Sequence, residues 1–219
     1  MTALLLGATG LVGGHVLPLL LDHGRWDRVV TLGRRPMPQA GPRHAHHVLD
    51  FERMSEHPER FACDDVFCCL GTTIREAGSE AAFARVDRDY PFTAAQFARG
   101  QGATQFLLVS SVGASSRSPF FYTRVKGEIE EALRRIGFES LSIFRPSQLA
   151  GERAAPRPKE QVALAALRVV GPLLVGPLRR YRATPARAVA EAMVAVAAER
   201  PAGVHVFEAE EIVNRAHPE

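Results

Sequence analysis

Cysteine is rare in this chain of 219 residues, which has only three: Cys63, Cys68 and Cys69. An odd number with two adjacent members fits neither a disulfide framework nor the spacing of a zinc site. Because Cys68 and Cys69 fall in an apolar run, we interpret them as small core residues rather than redox groups. We expect free thiols, no bound metal and a cytoplasmic location.

Long apolar runs are also absent. The most apolar later stretch, residues 162–178, is interrupted by Arg168 and by two Gly-Pro pairs, whereas a helix needs about 20 apolar residues to span a bilayer. The first residues lack the basic charges that open a signal peptide. We therefore expect no stable membrane insertion.

Charge of one sign is not in large excess. Lysine and arginine number 27 against 24 acidic residues, a net charge of +3, and a nucleic-acid-binding surface usually needs basic residues clustered on one face. We expect a small-molecule substrate and no nucleic acid as partner, and a homodimer is left open. The fractions of hydrophobic residues, 46%, and charged residues, 23%, are those of a globular protein and exclude a fibre or a disordered chain.

The chain does contain a regular alternation of short apolar runs and amphipathic stretches. The runs predict strands at residues 3–6, 28–32, 46–49, 66–70, 105–109, 141–144 and 204–207. The intervening stretches predict helices at residues 11–21, 122–136 and 186–198, a helix that starts near Asp89 and Pro91 and ends near Gly100, and a helix or turn-rich connection at 51–60. Thr184 and Pro185 are expected to open the helix at 186–198, with the threonine as its cap.

Continuous apolar strands joined by helices indicate a parallel sheet covered on both faces. We predict an α/β fold, a doubly wound parallel sheet or Rossmann fold, with a small C-terminal lobe over its carboxyl edge. The lobe is assigned to residues 151–182, where the composition shifts to proline, arginine and alanine. We interpret residues 1–219 as a single nucleotide-binding domain.

A Gly-x-x-Gly-x-x-Gly motif directly follows the first predicted strand and opens a helix. Gly7 permits the tight turn, Gly10 lets the backbone approach a pyrophosphate, and Gly13 lets helix and strand pack closely. Amides at the start of the helix would then bind the anion. A plain glycine-rich turn is the alternative. The expected cofactor contacts from this loop are Gly7, Thr9, Gly10, Leu11, Val12 and Gly13.

The end of the second predicted strand indicates which dinucleotide binds. An NAD site usually has a carboxylate there for the ribose 2′-hydroxyl, whereas Arg34 and Arg35 stand here and no acid follows until Asp50. An arginine fork can bind a 2′-phosphate, so we predict NADP(H), with Arg34 the stronger candidate. The alternative is that both are ordinary surface arginines.

Further cofactor contacts are expected after the third and fourth strands. Asp50 could accept a hydrogen bond from the adenine, although an exposed aspartate that starts a helix is an equal alternative. Leu70, Gly71 and Thr72 follow the fourth strand, where glycine would let the cofactor lie close to the chain. The alternative there is a simple loop glycine.

Proton transfer is predicted from the spacing of two residue types that are rare in this chain, tyrosine and lysine. Lysine occurs only twice and tyrosine three times, so Tyr122 four positions before Lys126 has a chance expectation of about 0.03. On a helix both side chains lie on one face. A phenol pKa near 10 must fall by about 3 units to work near pH 7, and a neighbouring ammonium stabilises the phenolate. Lys126 could also hold the nicotinamide ribose.

Two serines end the fifth strand at the edge where ligands bind in such sheets. Ser111 is predicted to hydrogen-bond the substrate carbonyl oxygen while Tyr122 transfers a proton, and Ser110 is the reserve candidate. The alternative is that both serines simply begin a serine-rich loop.

Most of these motifs belong to a larger set of characteristic segments. The set comprises residues 7–13, 33–35, 50–52, 67–73, 85–90, 110–111, 122–128 and 144–146. Together they resemble the atypical short-chain dehydrogenase/reductases related to the Tat-interacting oxidoreductase, over nearly the whole chain. The resemblance implies a Rossmann core, NADP(H) binding and a catalytic set at Ser111, Tyr122 and Lys126. It also implies cofactor contacts from Leu70, Gly71 and the stretch that begins at Pro146. Many dehydrogenases of this kind use an asparagine in a proton relay, and Asp87 stands near its expected place.

We therefore predict an NADP(H)-dependent oxidoreductase that transfers hydride to or from a carbonyl or alcohol, with Tyr122 as proton donor or acceptor. The alternative is a regulatory protein that binds NADP(H) as a redox sensor without turnover. A nucleotide-sugar epimerase or dehydratase is a third hypothesis, disfavoured because 219 residues leave little chain for a sugar-nucleotide lobe.

Overall fold

Seven parallel strands form the central sheet of the computed structural model, which describes residues 1–150 and 183–216. The strands are β1 (Thr2–Leu6), β2 (Arg28–Gly33), β3 (His44–Val48), β4 (Asp65–Cys68), β5 (Gln105–Val109), β6 (Ser140–Arg145) and β9 (Gly203–Glu208). Their order across the sheet is β3-β2-β1-β4-β5-β6-β9. Two short strands, β7 (Leu149–Ala150) and β8 (Thr184–Pro185), pair with each other outside this sheet.

Helices connect the strands and cover the sheet. They are α1 (Gly13–Asp22), α2 (Ile74–Ala77), α3 (Glu80–Ala84), α4 (Tyr90–Gly100), α5 (Phe121–Ile136), α6 (Ala186–Glu199) and α7 (Ala209–Ala216). Two 3-10 turns, Phe51–Glu56 and Pro58–Phe61, lie between β3 and β4. The helices assigned here are those of the described residues only.

Alternate residues of β1 face opposite sides of the sheet, as the two-residue period of a strand requires. Ala3 and Leu5 pack with residues of α1 and α6, whereas Leu4 and Leu6 pack with residues of α4 and α5. All four are fully buried. The sheet therefore lies between two helical layers, and both of its faces contribute to the core.

The strand order changes direction at β1, which has β2 on one side and β4 on the other. Such a reversal opens a crevice at the carboxyl ends of the strands, where ligands bind in doubly wound sheets. This architecture confirms the predicted doubly wound parallel sheet. The lobe predicted at residues 151–182 lies outside the described residues.

The helix expected to start at Asp89 instead continues from α3 through a π-helical segment, Arg85–Asp89, into α4. Pro91 has no N–H to donate to the carbonyl four residues before it, and the turn ahead of it widens so that the Tyr90 N–H donates to the carbonyl of Arg85. This wide turn directs the Asp87 side chain into the interior, where the residue is only 1% exposed.

The prediction that Thr184 caps α6 is wrong. Its hydroxyl lies 3.0 Å from the hydroxyl of Ser147 and accepts from the Ser147 N–H at 3.2 Å, so Pro185 occupies the cap position without a side-chain hydrogen bond. Helix α7 was not predicted. Among the described helices, none is both long and apolar enough to cross a membrane.

Candidate functional site

A cleft of about 1390 Å³ opens at the carboxyl ends of the central strands. It brings together residues that the sequence spreads from position 7 to position 149. The predicted site residues that line it are Gly7, Thr9, Gly10, Leu11, Val12, Arg34, Arg35, Leu70, Gly71, Thr72, Ser111, Tyr122, Lys126 and Pro146. Two predicted residues, Gly13 and Asp50, are not part of its lining.

The glycine motif forms a tight turn that only glycine fits. Gly7 has φ +82°, and a Cβ there would lie 2.6 Å from the carbonyl oxygen of Cys69. A Cβ at Gly13 would lie 2.2 Å from the carbonyl oxygen of Gly7, so this glycine lets the start of α1 pack directly against the loop. Gly13 thus has the packing position expected of it, although it does not face the cleft.

The same loop offers unused donors. Within the described residues, the backbone N–H groups of Leu11 and Val12 donate to no carbonyl, and α1 begins at the next residue. The amino end of a helix carries a partial positive charge, so free amides at this point form an anion site. This arrangement fits the phosphates of a dinucleotide.

Arg34 and Arg35 follow β2 and line the cleft with exposed side chains. Neither guanidinium forms an ion pair with a carboxylate of residues 1–150 or 183–216. These two guanidinium groups lie in the same cleft as the glycine loop and are available for an anionic ligand.

Asp50 has another local role. Its carboxylate accepts from the Glu52 N–H at 3.1 Å and caps the first 3-10 turn, which is the alternative that the sequence left open. Phe51 faces the cleft instead, and its ring lies 5.4 Å from that of Tyr90, also in the lining. The Tyr90 hydroxyl donates to Glu52 at 2.6 Å, and burial together with this bond raises the pKa of Tyr90 to about 12.

The centre of the cleft holds a buried ion pair. The Nζ of Lys126 lies 2.7 Å from Oδ1 of Asp87, with side chains 6% and 1% exposed. The other carboxylate oxygen of Asp87 accepts from the Thr72 N–H at 2.9 Å. Asp87 therefore connects the loop after β4 to α5, at the place where the resemblance expected an asparagine.

Lys126 keeps its charge in this setting. Burial by itself lowers the pKa of the Lys126 ammonium, but the facing Asp87 carboxylate and the nearby Tyr122 outweigh it, and the net shift is upward. A positive charge is thus held below the cleft floor throughout the neutral pH range.

Tyr122 lies one helical turn before Lys126 on α5 and is 37% exposed. Its ring packs at a tilt against Phe83, with 5.4 Å between the ring centroids. Among the described residues, no group hydrogen-bonds to its hydroxyl. The ring of Tyr122 is therefore held by packing, while its hydroxyl has no hydrogen-bond partner in residues 1–150 and 183–216.

The two serines after β5 differ in what their hydroxyls contact. Ser110 is buried and donates to Glu130 at 2.6 Å, whereas Ser111 is half-buried and makes only a 3.4 Å contact to the carbonyl of Val112. Glu130 also accepts from Arg145 through both of its oxygens, at 2.9 and 2.6 Å. Ser111 is therefore the serine whose hydroxyl is available in the cleft.

Sequence reasoning assigned no role to Glu130 or Gly127, which support the site from outside the cleft lining. Tyr122, Lys126 and Glu130 recur at every fourth position, a period that places polar groups on the buried face of a helix and could have been read. Gly127 lets the serine loop approach α5, since a Cβ there would lie 2.1 Å from the carbonyl carbon of Ser115.

One of the three cysteines, Cys69, contributes to the lining of the cleft. All three are free, and burial raises the pKa of the Cys68 thiol to about 12 and that of Cys69 well above its usual range. Within the described residues, no group of three histidine, cysteine or acidic side chains could hold a metal ion.

Solved structures with the same fold extend over nearly the whole chain. MoeE5 in complex with UDP-glucose and NAD has a TM-score of 0.72 at 17% identity, covering 99% of this chain and 81% of its own. The UDP-glucose 4-epimerase of Thermotoga maritima has a TM-score of 0.71 at 15% identity, over 95% of this chain and 77% of its own. At these identities the likeness concerns the fold alone.

Relatives in sequence are closer. Protein HTATIP2 of Rattus norvegicus is 40% identical over 163 residues, 73% of this chain and 67% of the relative. Protein fmp52, mitochondrial, of Emericella nidulans is 38% identical over 73% of this chain and 71% of its own. The protein of that name from Aspergillus niger is 34% identical over 91% of this chain and 90% of its own.

The fungal relatives are named as mitochondrial, which contradicts the expected cytoplasmic location. That expectation rested on the free cysteines. Free thiols indicate a reducing environment and do not distinguish one reducing compartment from another.

The NAD dependent epimerase/dehydratase family matches residues 3–211. The match begins in β1, includes the glycine loop and the Tyr122–Lys126 helix, and ends in α7. Together with the relatives, it confirms the resemblance found in the sequence. The chain therefore belongs to the NAD dependent epimerase/dehydratase family and, within it, is similar to protein HTATIP2.

Proposed function

We propose that this protein is an NADP(H)-dependent oxidoreductase that interconverts a carbonyl compound and its alcohol. The observation that carries the proposal is the meeting of Tyr122, Ser111 and the charged Lys126 in the cleft that also contains the glycine loop. Each of these groups would have a role in such a reaction.

The cofactor cradle fits a phosphorylated dinucleotide. The free amides of Leu11 and Val12 would bind the pyrophosphate, and a side chain at Gly7 or Gly10 would fill the turn. Arg34 and Arg35 would bind a 2′-phosphate, for which a carboxylate would be repulsive. When bound, the coenzyme supplies or accepts the hydride.

The protein's own residues would handle the proton. Ser111 donates a hydrogen bond to the substrate oxygen, and Tyr122 donates its phenolic proton to that oxygen when a carbonyl is reduced. The ammonium of Lys126 then stabilises the phenolate that remains, because opposite charges attract strongly in a partly buried site. In the oxidation of an alcohol the same groups act in reverse.

Asp87 limits how far the phenol is activated. Its carboxylate faces Lys126 at 2.7 Å, so part of the field of the ammonium is compensated before it reaches Tyr122.

The test is a Tyr122→Phe variant, which keeps the ring that packs on Phe83 and removes only the hydroxyl. We expect unchanged NADPH affinity by titration calorimetry and a loss of turnover of about 10²- to 10⁴-fold on an aldehyde and ketone panel. Equal turnover by both proteins would refute the role of Tyr122. Tight NADPH binding by wild type with no turnover of any panel member would favour the redox sensor instead.

A further inference from the structure

Thr31 on β2 and the two histidines His44 and His46 on β3 form a continuous hydrogen-bonded relay. It lies beside the turn that contains Arg34 and Arg35. The Oγ1 of Thr31 lies 2.8 Å from Nε2 of His44 and 2.8 Å from Nδ1 of His46. His44 accepts from the Ala40 N–H at 2.9 Å, and His46 lies 3.0 Å from the carbonyl oxygen of Arg35. Thr31 and His44 are buried, at 0% and 2% exposure.

Both ends of this relay fix the direction of its hydrogen bonds. A backbone N–H can only donate, so Nδ1 of His44 is an acceptor and its Nε2 carries the proton of the neutral ring. Burial, with His46 close by, lowers the pKa of His44 and keeps the ring neutral. His44 therefore donates to Thr31.

A carbonyl oxygen can only accept, so Nε2 of His46 must donate to Arg35. With a single ring proton, on Nε2, His46 accepts at Nδ1 from the Thr31 hydroxyl, which at 2.8 Å lies closer to this nitrogen than to the Met37 sulfur at 3.6 Å. Thr31 has one proton and two lone pairs, which satisfies both histidines at once. The hydrogen-bond directions derived from the Ala40 N–H and from the Arg35 carbonyl agree at the Thr31 hydroxyl, which accepts from one histidine and donates to the other. This agreement indicates an ordered arrangement.

The relay ends on the backbone of the residues that would bind the 2′-phosphate. The imidazole of His46 lies against Gly33, with its Cε1 3.3 Å from the position of a Cβ there. His46 lines the cleft together with Gly33, Arg34 and Arg35. The His46 bond to the Arg35 carbonyl therefore contacts the backbone of the turn from which the Arg34 and Arg35 side chains extend.

We propose that His46 is a positioning residue that sets the preference for a 2′-phosphorylated coenzyme by holding the Arg34–Arg35 turn. The proposal rests on the proposed function, because it takes the coenzyme to be NADP(H). Phosphate recognition by arginine depends on bidentate geometry, whereas an unphosphorylated ribose makes no demand on this turn. Loss of the His46 side chain should thus weaken the binding of NADPH and leave the affinity for NADH unchanged.

The test compares His46→Ala, His46→Gln and the control His47→Ala in calorimetric titrations with NADPH, NADH, 2′,5′-ADP and 5′-AMP. His47 is the next residue of β3, points to the opposite face and does not line the cleft. We expect His46→Ala to weaken the binding of NADPH and 2′,5′-ADP about tenfold without changing the affinity for NADH or 5′-AMP. His46→Gln retains a donor for the Arg35 carbonyl and should recover most of the loss.

Thr31→Val is a second variant that keeps the shape of the side chain and removes its hydroxyl. It should give a smaller loss of the same selectivity, and it provides the test if His46→Ala does not fold. Equal weakening of NADPH and NADH, or no weakening in either His46→Ala or Thr31→Val, would overturn the role of His46. Wild-type protein that binds NADH as tightly as NADPH would overturn the proposed coenzyme itself.

Discussion

The ammonium of Lys126 and the carboxylate of Asp87 are 2.7 Å apart and almost fully buried. Removing one partner of a buried pair leaves a charge without compensation, which costs about 3–5 kcal/mol, whereas replacing both can be nearly neutral. We expect Asp87→Asn and Lys126→Met each to lower the free energy of unfolding by about that amount. The double variant should lose less than the sum, as measured by urea denaturation at pH 7.

Additive losses in this double-mutant cycle would contradict a direct interaction. Arg187→Gln is the matched control, because it breaks an exposed pair with Glu191 on α6. Exposed pairs contribute about 0–1 kcal/mol, so this variant should unfold almost as wild type does.

The same pair predicts a pH dependence of stability. The folded pKa of Lys126 lies above its ordinary value of 10.5, so the folded state holds this proton more tightly than the unfolded chain does. The stabilisation is therefore complete below about pH 10 and is lost as pH rises through the folded pKa. In alkaline denaturation series, wild type should lose stability more steeply than Lys126→Met, and parallel curves would contradict this.

Ser110 and Ser111 should separate stability from turnover. Ser110→Ala leaves the buried Glu130 without one donor and should cost about 1–3 kcal/mol of stability. Ser111→Ala removes the hydroxyl that is available to the substrate, and it should lower kcat about 100-fold with little change in stability. Thermal unfolding and steady-state kinetics on the best carbonyl substrate measure both; the reverse pattern would make Ser110 the catalytic serine.

Gly127→Ala should disturb the serine loop. Its Cβ would collide with the backbone of Ser115, and overpacking of this kind costs about 1–3 kcal/mol. Gly100→Ala is the control, since a Cβ there meets nothing within 4 Å at the end of α4. Thermal unfolding should show a loss for the first variant and none for the second.

The thiols should be unreactive in the folded protein. With the pKa of Cys68 near 12, about one thiol in 10⁴ is ionised at pH 8, and the thiolate is the reactive form. A colorimetric disulfide reagent should titrate three thiols in denaturant and react only slowly with native protein. Rapid reaction of Cys68 or Cys69 without denaturant would show that the core around β4 opens.

Much of the fold was predictable because most strands of the main sheet contain a short apolar run between turn residues, as in β1, β4 and β5. Strand β5 was predicted with its observed bounds, and the other strands of the main sheet within two residues. Helix α7 was missed because its eight residues depend on tertiary packing, chiefly of the buried Ile212. The π-helical turn is not evident from the sequence, because a proline at position 91 is equally compatible with the start of a helix and with a wide turn inside one.

The candidate site was predictable where function is encoded in short spacing, as in the glycine loop and the Tyr122–Lys126 pair. It was not predictable where distant segments meet. The contact of Asp87 with Lys126 depends on a wide helical turn packing against α5, and no local pattern reports that. The same holds for Thr31 and His46, whose pairing requires the register of β2 against β3.

The small strand pair β7–β8 has a consequence for how this domain can vary. Leu149 pairs with Thr184, and Ala150 with Pro185, so the described residues on either side of positions 151–182 lie next to each other. The entropy of closing a loop grows only with the logarithm of its length, about 0.6 kcal/mol for each doubling. A segment inserted between Ala150 and Thr184 therefore has its two ends held side by side, and a change in its length would alter the closure entropy only slightly.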